Sequence, residues 1–168
     1  MAPNRLILVL LFLMITFVAC VDHKKTETNI ANNMFTTDSV DVAMNRAMDI
    51  ARKRFSAFDS AFESGRYDKD KFSIKVKYPH KQGNEYIWLV DISKVDGRYL
   101  GLVSDTPRAT KMVKLGDRPA INNDDVVDWL YGKDSVLHGG YTLRLIYGRM
   151  TKEELEQERA SFPYKIQD

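Results

Sequence analysis

The sequence predicts an α+β fold, with a long N-terminal helix packed on an antiparallel sheet of short strands and closed by C-terminal helices. Three observations carry this expectation. Apolar residues between positions 40 and 62 recur at steps of three and four, and beyond Lys71 the period drops to two. The period-two segments are separated by turn residues rather than helical stretches, so the strands follow one another as a meander and not in βαβ alternation. Finally, Thr151-x-x-Glu154 is a capping box that announces a last helix.

Ahead of these elements stands "MAPNRLILVLLFLMITFVAC". Arg5 supplies a positive start, and Leu6 to Val18 is apolar apart from Thr16. A run of about 13 residues suits a secretory leader and falls short of a bilayer-spanning helix. Cys20 is the only cysteine in the chain, so no internal disulfide is open to it. Phe17-Val18-Ala19-Cys20 resembles the bacterial lipobox, with Phe17 where leucine is usual. The resemblance implies cleavage before Cys20 and acylation of its thiol and new amino group. Two or three acyl chains anchor stably where one does not. By the sorting rule of enterobacterial lipoproteins, Val21 in place of Asp points to the outer membrane, facing the periplasm. The expected organisation is a signal peptide over 1–19, a lipidated cysteine and polar tether over 20–38, and one globular domain over 39–168.

Losing the leader would leave 149 residues, enough for a core that needs no staple. The formal charge of +2 falls to about +1 when Arg5 is lost. Such a balance argues against a nucleic-acid footprint or a polybasic membrane patch.

In the domain, Val40, Met44, Ala47, Ala51, Phe55, Phe58 and Phe62 mark one helix face, with Asp38 or Ser39 as N-cap and Gly65 as the stop. Arg52, Lys53 and Arg54 read as a solvated face. "KFSIKVKY" alternates Phe72, Ile74, Val76 and Tyr78 against Lys71, Ser73, Lys75 and Lys77, a half-buried strand with a charged outer side. After a turn over 79–84, "EYIWLVDISKV" is a longer strand, Asp96-Gly97 signals a hairpin, and "RYLGLVSD" returns. "KMVKL" and "RPAIN" flank Gly116-Asp117 as a further short pair. Val126 to Tyr131 fits a one-turn helix capped by Asn122 or Asn123, or a strand hairpinned onto "SVLH"; the density of Val, Trp and Tyr favours the strand. Leu143, Ile146, Tyr147 and Met150 fit a helix, while Tyr141, Leu143, Leu145 and Tyr147 fit a strand. Gly139-Gly140 tips that choice towards a helix start.

Ala47-x-x-x-Ala51-x-x-x-Phe55, "FSIKV", "EYIWLVDI", "GDR", "VVDWLY" and "GGYTLRLI" together resemble the YegJ-like family of bacterial proteins of unknown function, several of them small lipoproteins. The resemblance covers roughly residues 42 to 150. Its most specific parts are the Trp88 strand, Asp128-Trp129 and Gly140-Tyr141-Thr142-x-Arg144. Where many members carry His before the Ile-Trp pair, this chain has Tyr86, which argues against chemistry needing an imidazole there. The family brings no established activity.

The residues themselves offer little chemistry. His23, His80 and His138 lack ligand spacing, so no metal and no cofactor is expected. Asp124, Asp125 and Asp128 read as a turn and a hydrogen-bonding residue rather than a cation site. There is no nucleophile elbow, and nothing in the spacing joins Ser104-Asp105 to His138 as a relay. "KLGDRP" has no following helix to cradle phosphate. Glu85, Asp91 and Asp128 are the carboxylates a small hydrolase would pair. What remains is an aromatic and polar set, Trp88, Asp91, Asp128, Trp129, Tyr131, Tyr141 and Arg144. It serves either as structural anchors, with Arg144 paired to Asp128, or as a recognition surface rich in hot-spot residue types. The expected role is non-catalytic binding at the periplasmic face of the envelope. The membrane is met through the lipid on Cys20, and the partner is a protein or envelope polymer, not nucleic acid. The alternatives are an immunity-type protein neutralising a periplasmic toxin and, behind it, the paired-carboxylate hydrolase.

Overall fold

In the computed structural model, residues 41–161 are described; the leader, Cys20, the tether and the expected caps Asp38 and Ser39 lie outside them. Two helices, α1 (Val42–Lys53) and α2 (Phe55–Glu63), precede three consecutive strands, β1 (Phe72–His80), β2 (Gly83–Val95) and β3 (Arg98–Val103). After a long loop come β4 (Val126–Lys133) and β5 (Val136–Gly139), then α3 (Tyr141–Tyr147) and α4 (Lys152–Ser161). The strands form one antiparallel sheet in the order β3-β2-β1-β4-β5. This is the α+β fold that the change of period predicts.

The single long helix does not form. At Arg54 the backbone leaves the helical region (φ −103, ψ 10), and its N–H reaches both Ile50 and Ala51 carbonyls. The break splits the apolar stripe. Met44 and Met48 enter one core cluster, whereas Ala51, Phe58 and Phe62 enter another, so α1 passes from one cluster to the next. Periodicity reports that a face is apolar but not that it meets one surface along its whole length. The N-cap is Asp41, whose carboxylate accepts Met44 N–H at 3.0 Å and pairs with Arg149 beyond α3. That guanidinium, with the Met44 bond, lowers the Asp41 carboxyl to about 2. Gly65, at φ +63, closes α2 as expected.

Alternation along the strands sends side chains to opposite faces. Phe72, Ile74, Val76 and Tyr78 of β1 share the first cluster with Ile87, Leu89, Trp129, Tyr131 and the Phe residues of α2. Trp88, Leu130, Leu137, Leu143 and Ile146 form the second cluster with α3 and the start of α1. The two-residue turn Asp134-Ser135 has both φ values positive, like Asp96-Gly97, the left-handed pattern that matches strand twist. Val126 to Tyr131 is strand. It is entered through a short 3-10 turn, Asn123–Asp125, capped by the Asn122 side chain.

"KMVKL" and "RPAIN" do not pair with each other. Residues 117 to 121 run instead beside β3, with Val103 N–H on Asp117 O at 2.9 Å and Ile121 N–H on Tyr99 O at 2.7 Å. The rest of the loop is held by Glu85, which accepts Arg108, Ala109 and Thr110 N–H at 2.8, 2.9 and 2.7 Å. Burial pushes that carboxyl up, but the three backbone donors outweigh it and the net shift is downward.

Candidate functional site

The hairpin of β4 and β5 organises two layers because successive residues of β4 point to opposite faces. On one face lies Asp128, fully buried. Its carboxylate accepts Trp129 N–H at 2.8 Å, Tyr141 N–H at 3.1 Å, and both the N–H and hydroxyl of Thr142 at 2.7 Å. Asp128 thus caps α3 from a neighbouring strand, using N–H groups a helix start leaves open. The cation opposite it is Lys75, its register partner on β1 and only 4% exposed. The Lys75 ammonium donates to Thr142 Oγ1 at 3.4 Å and lies 5.4 Å from the Trp88 ring centre. Burial pushes this amine down to about 8, with the Asp128 charge opposing the fall. Burial raises Asp128, against its hydrogen bonds and the Lys75 charge.

Two expectations are corrected here. Lys75 does not belong to a solvated outer side, because α3 covers that part of the face. Arg144 does not pair with Asp128. Its Nε donates to Gly139 O at 2.9 Å and its Nη2 to Leu137 O at 2.7 Å, tying α3 to β5.

On the other face Trp129 and Tyr131 lie nearly parallel, 6.2 Å apart. The Trp129 indole donates to Ala51 O at 2.8 Å, satisfying a carbonyl near the end of α1. Gly139 is required there. A Cβ on it would stand 2.2 Å from Trp129 O, and its φ is +74. The close approach turns the chain so that Tyr141 meets Trp129 edge-on at 5.7 Å. His138 stacks on Tyr131 at 4.7 Å, and Tyr67 reaches the same ring at 5.1 Å. Lys133 stands 5.3 Å from the Tyr67 ring and Arg54 6.0 Å from that of Tyr141. The result is a cluster of three phenols and an imidazole at the β4–β5 edge, rimmed by cations. Tyr67, His138, Tyr141 and Arg144 are half-buried, and Lys133 and Arg54 are exposed. Burial, then the phenols of Tyr67 and Tyr141, raise Tyr131. Burial, then Lys133 and Arg144, lower His138, which favours the neutral imidazole.

Of the residues singled out from sequence, Trp129, Tyr131 and Tyr141 meet in this cluster, with Arg144 beside it. Asp128 and Trp88 lie on the opposite face. Asp91 stands apart, exposed at a bulge of β2 (φ +47) and ion-paired to Arg118. Glu85, Asp91 and Asp128 therefore do not face one another. Glu85 shares the Ile87 and Leu89 side, Asp128 projects to the other side, and Asp91 is exposed at the β2 bulge. Asp125 pairs with Lys77 and Asn122 rather than joining Asp128. Ser104 follows β3, at the sheet edge opposite the β5 strand of His138. Among the described residues no group of three or more His, Cys, Asp or Glu is placed to hold a metal, and no helix is long and apolar enough to cross a membrane. Tyr67, His138 and Lys133 carry no motif, and Lys75 and Thr142 lie in family segments that give them no role. Only tertiary packing brings them in.

A family described as an uncharacterised protein conserved in bacteria (DUF2314) matches residues 41–163. The chain is 30% identical over 118 residues to the uncharacterised protein YegJ of Escherichia coli K12, covering 70% of this chain and 76% of that protein. It is 28% identical over 138 residues to a putative ankyrin repeat protein of Neisseria meningitidis serogroup B, covering 77% of this chain and about half (54%) of that one. No solved structure matches.

Proposed function

We propose, from the premise that this chain belongs to the DUF2314 family of uncharacterised bacterial proteins, that it is a non-catalytic binding module held at the cell envelope by a lipid on Cys20. The recognition surface is the β4–β5 edge, and the partner is a protein or envelope polymer at the periplasmic face. The observation that carries the reading is the half-open cluster of Tyr67, Tyr131, His138 and Tyr141 beside Lys133, Arg54 and Arg144. Stiff aromatic faces give contact area at low entropic cost, their hydroxyls give hydrogen bonds, and the cations attract carboxylates. The carboxylates of the domain support the non-catalytic part, since Asp128 and Glu85 are each saturated by backbone donors.

The test is a photo-crosslinker placed at Tyr141 or Lys133 in intact cells, with Asp96, at the far hairpin, as the control position. One adduct shared by the first two positions and absent from the third is expected. Equal labelling at all three, or none at Tyr141 and Lys133, would overturn the reading. A purified chain turning over an envelope polymer would replace it with an enzymatic one.

A further inference from the structure

We propose that the loop joining β3 to β4 is a docking surface for an anionic phospholipid bilayer. This inference stands independently of the reading of the β4–β5 edge and of lipid on Cys20.

Loops of this length without regular structure are either functional or disordered, and this one is pinned along its course. Glu85 binds three successive N–H groups at Arg108, Ala109 and Thr110. The Thr110 hydroxyl donates to Pro79 O at 3.2 Å and accepts from Met112 N–H at 3.2 Å. Val113 is buried in the first core cluster. Beyond it Lys114 N–H donates to the Asp117 carboxylate at 2.8 Å, and Gly116 N–H to Val103 O at 2.9 Å.

The residues between these fastenings point outward. Met112 is 63% exposed and Leu115 58%, two of the four large apolar side chains left exposed among the described residues. Around them Arg108, Lys111 and Lys114 are exposed, and residues 106 to 116 contain no acid. A fold that anchors a buried carboxylate under a loop, yet holds two apolar tips in water among cations, has the composition of an interfacial contact. The tips enter the boundary between headgroups and acyl chains, and the cations meet anionic headgroups. The local charge is invisible in the near-neutral domain total, and the acids nearest in sequence, Asp105 and Asp117, flank the segment without interrupting it.

The placement is consistent with a recognition surface left free. Tyr131 pairs with Phe72 at one end of β1, whereas Glu85 pairs with Tyr78 near the other. Six residues of strand separate them, about 20 Å at the usual rise. A domain seated on the loop holds its aromatic edge away from the bilayer.

The experiment uses the full chain carrying Cys20→Ser and Met112→Cys, labelled with an environment-sensitive fluorophore. It is mixed with vesicles of phosphatidylcholine, or of phosphatidylcholine and phosphatidylglycerol. Leu115→Cys is a second reporter and Asp96→Cys the control. The leader, with its positive Arg5, also favours anionic vesicles, so the loop is read from the contrast between positions 112 or 115 and position 96, and from Lys111→Gln with Lys114→Gln, which leave the leader unchanged. On anionic vesicles, positions 112 and 115 are expected to shift to the blue and to be quenched by a lipid-borne nitroxide, while position 96 stays unchanged. Lys111→Gln with Lys114→Gln should weaken the anionic response about thirtyfold. The three labelled sites are exposed, and circular dichroism checks that the fold survives. The proposal fails if 112 and 115 stay in water on anionic vesicles, or respond equally to neutral ones. It also fails if they respond to a soluble protein fraction without vesicles, which would make the loop a protein contact.

Discussion

Truncating Asp128 and Lys75 separately should give unequal losses, although the two charges face each other. Asp128→Ala removes the acceptor of Trp129, Tyr141 and Thr142 N–H groups and of the Thr142 hydroxyl, and leaves the Lys75 ammonium buried without a counter-charge. Stranding a buried charge costs about 3–5 kcal/mol, and the orphaned donors keep the loss at the upper end. Lys75→Met replaces an amine that has a single 3.4 Å hydrogen bond, to Thr142, with an apolar chain of similar length, and Asp128 keeps all its hydrogen-bond donors. Its cost should be smaller by about 2 kcal/mol. Urea unfolding of residues 39–168, followed by the emission of buried Trp88 and Trp129, measures both. The pH dependence supplies the sign. The Lys75 amine sits at about 8 in the fold, and near 10.4 in an unfolded chain. Between those values the unfolded chain binds more protons, so wild-type stability should rise with pH relative to Lys75→Met, by up to about 3 kcal/mol. Equal losses for the two truncations, or a wild type that does not gain on the variant between pH 8 and 10.5, would refute the buried pair.

Phe58→Ala should cost about 3–5 kcal/mol, because the ring is fully buried among Phe62, Phe72, Tyr99 and Trp129. Phe55→Ala should cost clearly less, since that ring is only partly covered; a thermal melt of both ranks them. Gly139→Ala should destabilise by several kcal/mol, roughly 3 or more, because the added carbon meets Trp129 at a left-handed backbone position. A melt within about 0.5 kcal/mol of wild type would contradict that close approach. Cys20→Ser, expressed in a bacterium fed a clickable palmitate, should lose both the label and the cleaved form. A labelled serine variant would exclude lipid on Cys20.

Elements whose signal is local were legible in the sequence. The capping box at Thr151 and Glu154 forms with its reciprocal bonds of 3.2 and 2.8 Å, because both partners sit on one turn. Asp96-Gly97 makes its hairpin, and Gly139-Gly140 opens α3, because positive φ values are a property of those residues themselves. The strand at "VVDWLY" followed from residue type alone. The aromatic set around Trp129 was half visible, since Tyr131, Tyr141 and Arg144 lie in one stretch whereas Tyr67 lies far upstream with no motif.

The sequence by itself determined where apolar faces begin and end, which residues turn the chain, and the α+β order of elements. All are consequences of forces acting within a few residues. Only the tertiary structure decided what each face meets. It broke the first helix at Arg54, it passed the apolar stripe from one core cluster to the other between Met48 and Ala51, and it placed α3 over Lys75, which turned an apparently solvated lysine into the buried partner of Asp128. It also gave Glu85 to the backbone of a distant loop. These outcomes depend on strand register and on which side of the sheet is covered. Both are set by contacts across tens of residues, and no periodicity along the chain records them.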